Sequence, residues 1–263
     1  MFQLTTRQAA TFRQTAASVF EEQMVEHCAV FSPDVAAALG PERLLTVLRA
    51  AIARAAAYGF TLVGPVRLFI ELGFLLGSAF DTDVQYPWAR ACLTRAGETR
   101  RVGSVIEQTD CAAALHTASL EALRAIRGPD DGHVSAALGL LLALAEEPLP
   151  SVVDNLTDLA LAALEYVHPE KYAFVGVSAL RELIAAGAEE ATRHGLSAPR
   201  DILLVVALML AFGQGCTTDP LHAWIGRTLA DETIATPALR ARYLEETALI
   251  TARAALADTE PVG

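Results

Sequence analysis

Residues 77–88 have the sequence GSAFDTDVQYPW, and residues 213–224 have the sequence GQGCTTDPLHAW. The glycine, threonine, aspartate and tryptophan of the first segment recur in the second, each 136 positions later. Four chemically distinct residues in one register indicate an internal repeat. We therefore interpret the chain as two diverged copies of one structural unit.

The match extends on both sides of these segments. Residues 31–95 and 167–231 align without a gap and share 14 identical residues in 65 positions. A chain of this composition would produce roughly 5 identities by chance. The ungapped match predicts that both copies contain the same helices in the same order, joined by loops of equal length.

Proline and glycine occur in the repeated unit at the positions where they typically begin and end helices. Pro33 and Pro169 stand at first helical positions, and Gly59 and Gly195 follow the last apolar residues of longer helices. Apolar residues recur at helical spacing between these marks. The longer helices are predicted over these ranges: 5–31, 41–58, 64–79, 104–127, 133–147, 177–194, 199–215 and 237–257. The predicted fold class is all-α, with about twelve helices and no sheet.

The repeat also predicts the organisation of the chain. Residues 1–127 form the first helical unit, which has an additional N-terminal segment over 1–15. Residues 128–151 form a linker with one helix, beginning at the break Gly-Pro-Asp-Asp-Gly. Residues 152–263 form the second helical unit.

Composition limits the possible partners and the location. The net charge is −11, and it opposes binding to the phosphates of nucleic acids. Residues 152–263 carry a net charge of −7, against −2 for residues 16–127. The most apolar run, residues 202–213, has 12 residues, whereas a membrane-spanning helix needs about 20. Because the N-terminus also lacks a signal peptide, we predict a cytoplasmic protein without a membrane span.

Sequence motifs of catalysis and metal binding are absent. The four cysteines are isolated from one another, and the six histidines form no ligand or nucleophile pattern. Asp81, Thr82 and Asp83 could suggest a cation, but Asp81 is replaced by Thr217 in the second copy. Helix capping is the simpler interpretation of these aspartates. The sequence therefore predicts no catalytic residue, no metal and no cofactor.

The residues that recur at the loop after the most apolar helix are the best candidates for a functional surface. Asp83 and Asp219 are expected to cap the helices that follow, and Trp88 and Trp224 to pack against the apolar helix of their own copy. A partner-binding role for the tryptophans is the alternative. The candidate partner site consists of these repeated residues: Gly77, Asp83, Trp88, Gly213, Asp219 and Trp224.

Residues 57–90 resemble a family of small, uncharacterised helical bacterial proteins that are encoded beside type VI secretion effectors. The resemblance lies in Ala57-Tyr58-Gly59-Phe60, in the segment from Gly77 to Asp83, and in Tyr86-Pro87-Trp88-Ala89. It is weaker in the second copy, where Ala223 replaces Pro87. The family offers no catalytic residues to transfer. The resemblance implies an accessory role such as chaperone, adaptor or immunity protein for a secreted toxin.

Two classes of function follow from these observations. The first is a non-enzymatic protein that presents its helical units to a protein partner. The second is a toxin, which would either form a pore with its apolar helices, 66–76 and 202–213, or assemble an enzymatic site from distant residues. The sequence favours the first class, because the repeated residues build turns, caps and cores.

Overall fold

The computed structural model describes residues 5–94, 103–149 and 154–259. Over these residues the chain is all-α, as the sequence predicted, and contains no strand. The helices in chain order are α1 (Thr6–Phe31), α2 (Pro33–Leu39), α3 (Pro41–Ala57), α4 (Val63–Leu76), α5 (Pro87–Thr94), α6 (Val105–Arg127), α7 (Gly132–Glu146), α8 (Leu156–Val167), α9 (Pro169–Val175), α10 (Val177–Arg193), α11 (Pro199–Phe212), α12 (Ala223–Ala230) and α13 (Pro237–Thr259). Short 3₁₀ turns precede α7 and α12, at Pro129–Asp131 and Pro220–His222.

The bounds of four helices agree with the predicted repeat. Helices α2, α3, α4 and α5 begin and end 136 residues before α9, α10, α11 and α12, respectively. The helices that pack together also correspond, since the pairs α1–α3, α3–α4, α4–α6 and α5–α6 have the counterparts α8–α10, α10–α11, α11–α13 and α12–α13. The helix number and order of the two segments are therefore the same, while the duplication event itself remains our interpretation.

Two predicted helix ends were wrong. Helix α4 ends at Leu76 and α11 at Phe212, three residues before the positions that the apolar pattern indicated. The following residues, Gly77 and Gly213, have φ angles of +99° and +93°. Side chains with a Cβ rarely adopt this backbone conformation, so the glycines end the helices although the apolar pattern continues.

Each unit has its own hydrophobic core. The first core is centred on Leu48, Phe69 and Ile70, and the second on Leu180 and Ile184. Helices α4 and α11 contribute to these cores on several faces, as expected for the most apolar helices of the chain.

The two units also pack against each other. Helix α6 contacts α9, and α7 contacts both α6 and α13. The helix of the predicted linker is thus part of the packed structure. The predicted boundary between residues 151 and 152 lies outside the described residues, as do residues 1–4 of the additional N-terminal segment.

Candidate functional site

The ends of α4 and α11 meet between the two units. A Cβ atom on Gly77 would lie 2.6 Å from the carbonyl oxygen of Phe212, and one on Gly213 would lie 2.8 Å from that of Leu76. Cβ atoms do not approach carbonyl oxygens this closely. Each glycine therefore permits the backbone of one unit to cross the helix end of the other unit.

Asp83 connects the first unit to the second through both carboxylate oxygens. Its Oδ1 accepts a hydrogen bond from the backbone N–H of Gln85 at 2.9 Å. The predicted helix cap was wrong here, because this bond closes a turn and α5 begins only at Pro87. Its Oδ2 accepts one from the backbone N–H of Gln214 in the second unit, at 2.6 Å. The second bond was not foreseen, because a carboxylate cap requires only one oxygen.

Asp219 accepts the two equivalent hydrogen bonds, one within the second unit and one from the first unit. Its Oδ1 accepts a hydrogen bond from Leu221 N–H at 2.9 Å, and its Oδ2 accepts one from Ser78 N–H of the first unit at 2.7 Å. Both aspartates are buried. We call the four residues Gly77, Asp83, Gly213 and Asp219 the clasp. The retention of one glycine and one aspartate in each copy was the sequence signal for this reciprocal interface.

The two halves of the clasp differ in their surroundings. Near Asp83, the last turn of α11 is capped by side chains: the Nε2 group of Gln85 donates to Met209 O at 2.9 Å, and the ammonium of Lys171 donates to Leu210 O. Burial lowers the pKa of Lys171 to about 8, against the opposing effect of the Asp83 carboxylate. Burial likewise raises the pKa of Asp83 above its ordinary value. Sequence analysis did not identify Lys171, the only lysine, as a functional residue.

The lowered pKa of Lys171 predicts a distinctive pH dependence of stability. Between about pH 8 and 10.5, the unfolded chain keeps the lysine proton and the folded chain loses it. The free energy of unfolding should therefore rise with pH in this window, by up to about 1.4 kcal/mol per pH unit relative to Lys171→Met. Urea unfolding of both proteins across the window measures the difference, in which the titration of cysteines cancels. A difference that is independent of pH would contradict the prediction.

Asp81 does not cap a helix, contrary to the sequence-based interpretation. Its carboxylate accepts hydrogen bonds from Arg54 Nε at 2.7 Å and from Tyr58 Oη at 2.7 Å. Burial and the adjacent Asp81 carboxylate raise the pKa of Tyr58 to about 12. At the equivalent place of the second unit, Thr217 Oγ1 donates to Glu190 Oε1 at 2.8 Å. An ion pair in one copy thus corresponds to a neutral–charged hydrogen bond in the other.

Trp88 and Trp224 lie in equivalent positions on α5 and α12. Each is partly buried and packs against the core of its own unit, as predicted, although neither is fully enclosed. Trp88 lies 6.1 Å from Tyr86 between ring centroids, and Trp224 lies 6.1 Å from Phe212. The two rings are therefore not part of the clasp, and their role in partner binding remains a prediction.

One histidine and two buried cysteines occupy structural positions. His168 Nδ1 accepts the backbone N–H of Lys171 at 3.3 Å as an N-cap, and burial lowers its pKa. Burial raises the pKa of Cys28 to about 11 and that of Cys216 to about 12, which disfavours the reactive thiolate. Within residues 5–94, 103–149 and 154–259, no three His, Cys, Asp or Glu side chains are grouped for a metal ion.

A pocket of about 280 Å³ adjoins the clasp on the side of the first unit. Helices α3 and α4 form its apolar walls, and Ser78, Pro220 and Leu221 complete it. Gly73 faces this space, whereas its counterpart in the second unit is the buried side chain of Met209. The helix pair α10–α11 leaves no such space, because Gly187 on α10 packs directly against Val206 on α11.

Alanine substitutions at these two glycines should have opposite effects. At Gly73 an added Cβ would meet nothing closer than 3.9 Å, so Gly73→Ala should raise the free energy of unfolding by about 1 kcal/mol through helix propensity. At Gly187 the Cβ would lie 2.6 Å from Cγ2 of Val206. Overpacking should exceed the gain in propensity there, so Gly187→Ala should lower stability by about 1 kcal/mol. Chemical denaturation measures both, and stabilisation by both substitutions would contradict the pocket geometry.

No family model, curated protein or solved structure matches this chain. The class of protein is therefore defined by the coordinates alone. It is an all-α protein in which two similarly arranged helical units join through a reciprocal clasp. In its described residues, no helix has both the length and the apolar character needed to cross a membrane.

Proposed function

We propose that this protein acts by binding a protein partner, as a non-enzymatic accessory protein of the chaperone, adaptor or immunity type. Three exposed β-branched side chains at the starts of α4 and α6 carry the proposal. Val63, Val105 and Ile106 are 60%, 64% and 73% exposed, and we call them the aliphatic patch. Grouped apolar side chains on a surface are typical of sites that bind proteins.

Hydrogen bonds join the starts of the two helices that carry the aliphatic patch. Gln108 on α6 accepts the backbone N–H groups of Thr61 and Leu62, at 2.8 and 3.1 Å, directly before Val63. A capping box between Ser104 and Glu107 fixes the first turn of α6, which carries the other two patch residues. Little conformational entropy is therefore lost when a partner covers the patch.

The charge around the aliphatic patch indicates the complementary partner. Asp110 is exposed one helical turn from Ile106, and the chain as a whole carries a net charge of −11. A partner with an apolar centre and a basic rim would complement this surface and would associate faster at low salt. The resemblance of residues 57–90 to proteins encoded beside type VI secretion effectors further supports an accessory role.

Partner capture with matched surface variants tests the proposal. We expect a protein that co-purifies with the tagged wild type from its native host to be lost with Ile106→Asp. Ile250→Asp is the matched control, because Ile250 on α13 is 65% exposed and lies outside the patch. The control should retain the partner, and added salt should weaken its recovery.

Two results would argue against the proposal. Equal recovery with both aspartate variants would show that the aliphatic patch is not the binding surface. Growth arrest of a naive bacterium that expresses this protein alone, together with no specific partner, would favour the toxin alternative. Dye release from liposomes would then separate a pore-forming toxin from an enzymatic one.

A further inference from the structure

The second unit shows how a cation and an amide can complete the end of an apolar helix. Carbonyl oxygens in the last turn of a helix have no intrahelical donor. In α11, the carbonyl oxygen of Met209 accepts a hydrogen bond from Nε2 of Gln85, and that of Leu210 accepts one from the ammonium of Lys171. The ammonium also lies near the negative end of the helix dipole and near the carboxylate of Asp83.

The corresponding donors are missing at the end of α4. Apolar side chains replace both of them, since Leu221 stands at the position equivalent to Gln85, and Val35 at that equivalent to Lys171. Among the described residues, the backbone N–H of Gly77 makes no hydrogen bond to a carbonyl oxygen of α4. The backbone N–H of Ser78 donates to Asp219 instead. Backbone carbonyl oxygens in the last turn of α4 are therefore left without the side-chain donors that their counterparts in α11 have.

These acceptors belong to residues that line the pocket. Gly73 and Phe74, the counterparts of Met209 and Leu210, border the volume of about 280 Å³. Asp219 lies directly behind the lining, because its two N–H donors belong to Ser78 and Leu221. The only charged residue of the lining, Arg54, is already paired with Asp81.

We propose that the pocket binds a small molecule with a primary ammonium group on a short apolar body. The ammonium would donate to the carbonyl oxygens of Gly73 and Phe74, whose counterparts Met209 and Leu210 accept hydrogen bonds from Gln85 and Lys171. The apolar body would pack against Val47, Phe69 and Ile70. A cavity of about 150 Å³ accommodates benzene, so this volume suits a ring with a short side chain, about ten non-hydrogen atoms.

Three probes of similar size and different charge test this site on the full chain. They are 2-phenylethylamine, the neutral 2-phenylethanol and the anionic 3-phenylpropanoate. Calorimetry near neutral pH should show saturable binding of the amine, at least about tenfold tighter than of the alcohol, since one charge-assisted hydrogen bond contributes about that factor. The anion should bind more weakly than either.

Two variants copy residues from the end of α11 to the end of α4. Gly73→Met should fill the pocket as Met209 fills the equivalent space, and Leu221→Gln should supply the amide that Gln85 supplies. Both should weaken binding of the amine at least about tenfold. Gly139→Met is the control, because Gly139 lies on α7 with no neighbouring atom within 4 Å of its added Cβ. Circular dichroism and thermal unfolding establish that each variant is folded.

Each remaining outcome overturns the proposal. Equal affinity for the amine and the alcohol would show that the carbonyl oxygens do not anchor the ligand. Preference for the anion would assign the anchor to Arg54. Undiminished binding to a folded Gly73→Met variant would place the ligand elsewhere, and the absence of binding by every probe would leave the pocket without this role.

Discussion

Replacing Gly77 or Gly213 by alanine should lower the free energy of unfolding by about 4 kcal/mol or more, among the largest effects of a single methyl group. Two penalties combine at these positions. The φ angles of +99° and +93° disfavour any residue with a Cβ, and the added Cβ would overlap a carbonyl oxygen of the other unit. Neither oxygen can move without displacing the end of α4 or α11. Chemical denaturation followed by circular dichroism measures the loss.

Gly40 provides the control for the backbone conformation alone. Its φ angle is +72°, yet an added Cβ would have no neighbour within 4 Å. Gly40→Ala should therefore pay only the conformational penalty, about 1–3 kcal/mol. Gly176 offers the same control in the second unit. Equal losses for Gly40→Ala and Gly77→Ala would show that the close crossing of the two units contributes nothing.

Removing the carboxylate of Asp83 should be nearly as damaging. Asp83→Ala leaves the backbone N–H groups of Gln85 and Gln214 without their acceptor, and it removes a negative charge that favours the buried ammonium of Lys171. Each buried N–H group left without an acceptor costs about 1–3 kcal/mol, so we expect a loss of about 4 kcal/mol. Asp219→Ala should cost less, about 2–3 kcal/mol, because no lysine stands beside it. Denaturation of both variants tests this order.

A local turn elsewhere in the chain separates the clasp from ordinary side-chain hydrogen bonding. The carboxylate of Asp231 accepts hydrogen bonds from the backbone N–H and the hydroxyl of Thr233, two residues away, and it is accessible to solvent. Asp231→Ala should have a much smaller effect than either clasp variant. If the three alanine variants lost equal stability, the bonds between the units would have no energetic role. Gly77→Ala combined with Asp219→Ala should show a non-additive loss, because both residues contact the same segment.

The clasp has the form of an isologous interface within one chain. In such an interface, residue i of one unit contacts residue j of the other, and j contacts i in return. The clasp follows this rule, because Ser78 pairs with Asp219 and Gln214 pairs with Asp83. Under the offset of 136 residues, Gln214 is the counterpart of Ser78, and Asp219 is the counterpart of Asp83. Lys171, Gln85 and Met209 lie at the end of α11 only. The pocket lies at the end of α4, where Val35, Leu221 and Gly73 stand at the equivalent positions.

Much of the fold could be predicted from the sequence because it depends on local patterns. Proline at first helical positions, glycine after helix ends and apolar residues at helical spacing identified the helices, and the constant offset identified their correspondence. These signals act over a few residues or repeat along the chain. They overestimated the ends of α4 and α11, because an apolar pattern continues past a glycine whose backbone cannot continue the helix.

The candidate site required the tertiary structure, because its contacts join residues that lie far apart in the sequence. The sequence predicted that Asp83 and Asp219 each accept one nearby backbone N–H, while the second oxygen of each carboxylate binds a residue 131 or 141 positions away. Asp81 was misassigned for the same reason, since its partner Arg54 lies on a different helix. Lys171 gave no sequence signal at all. Its burial depends on helices of both units, and only their packing determines which side chains reach the open end of a helix.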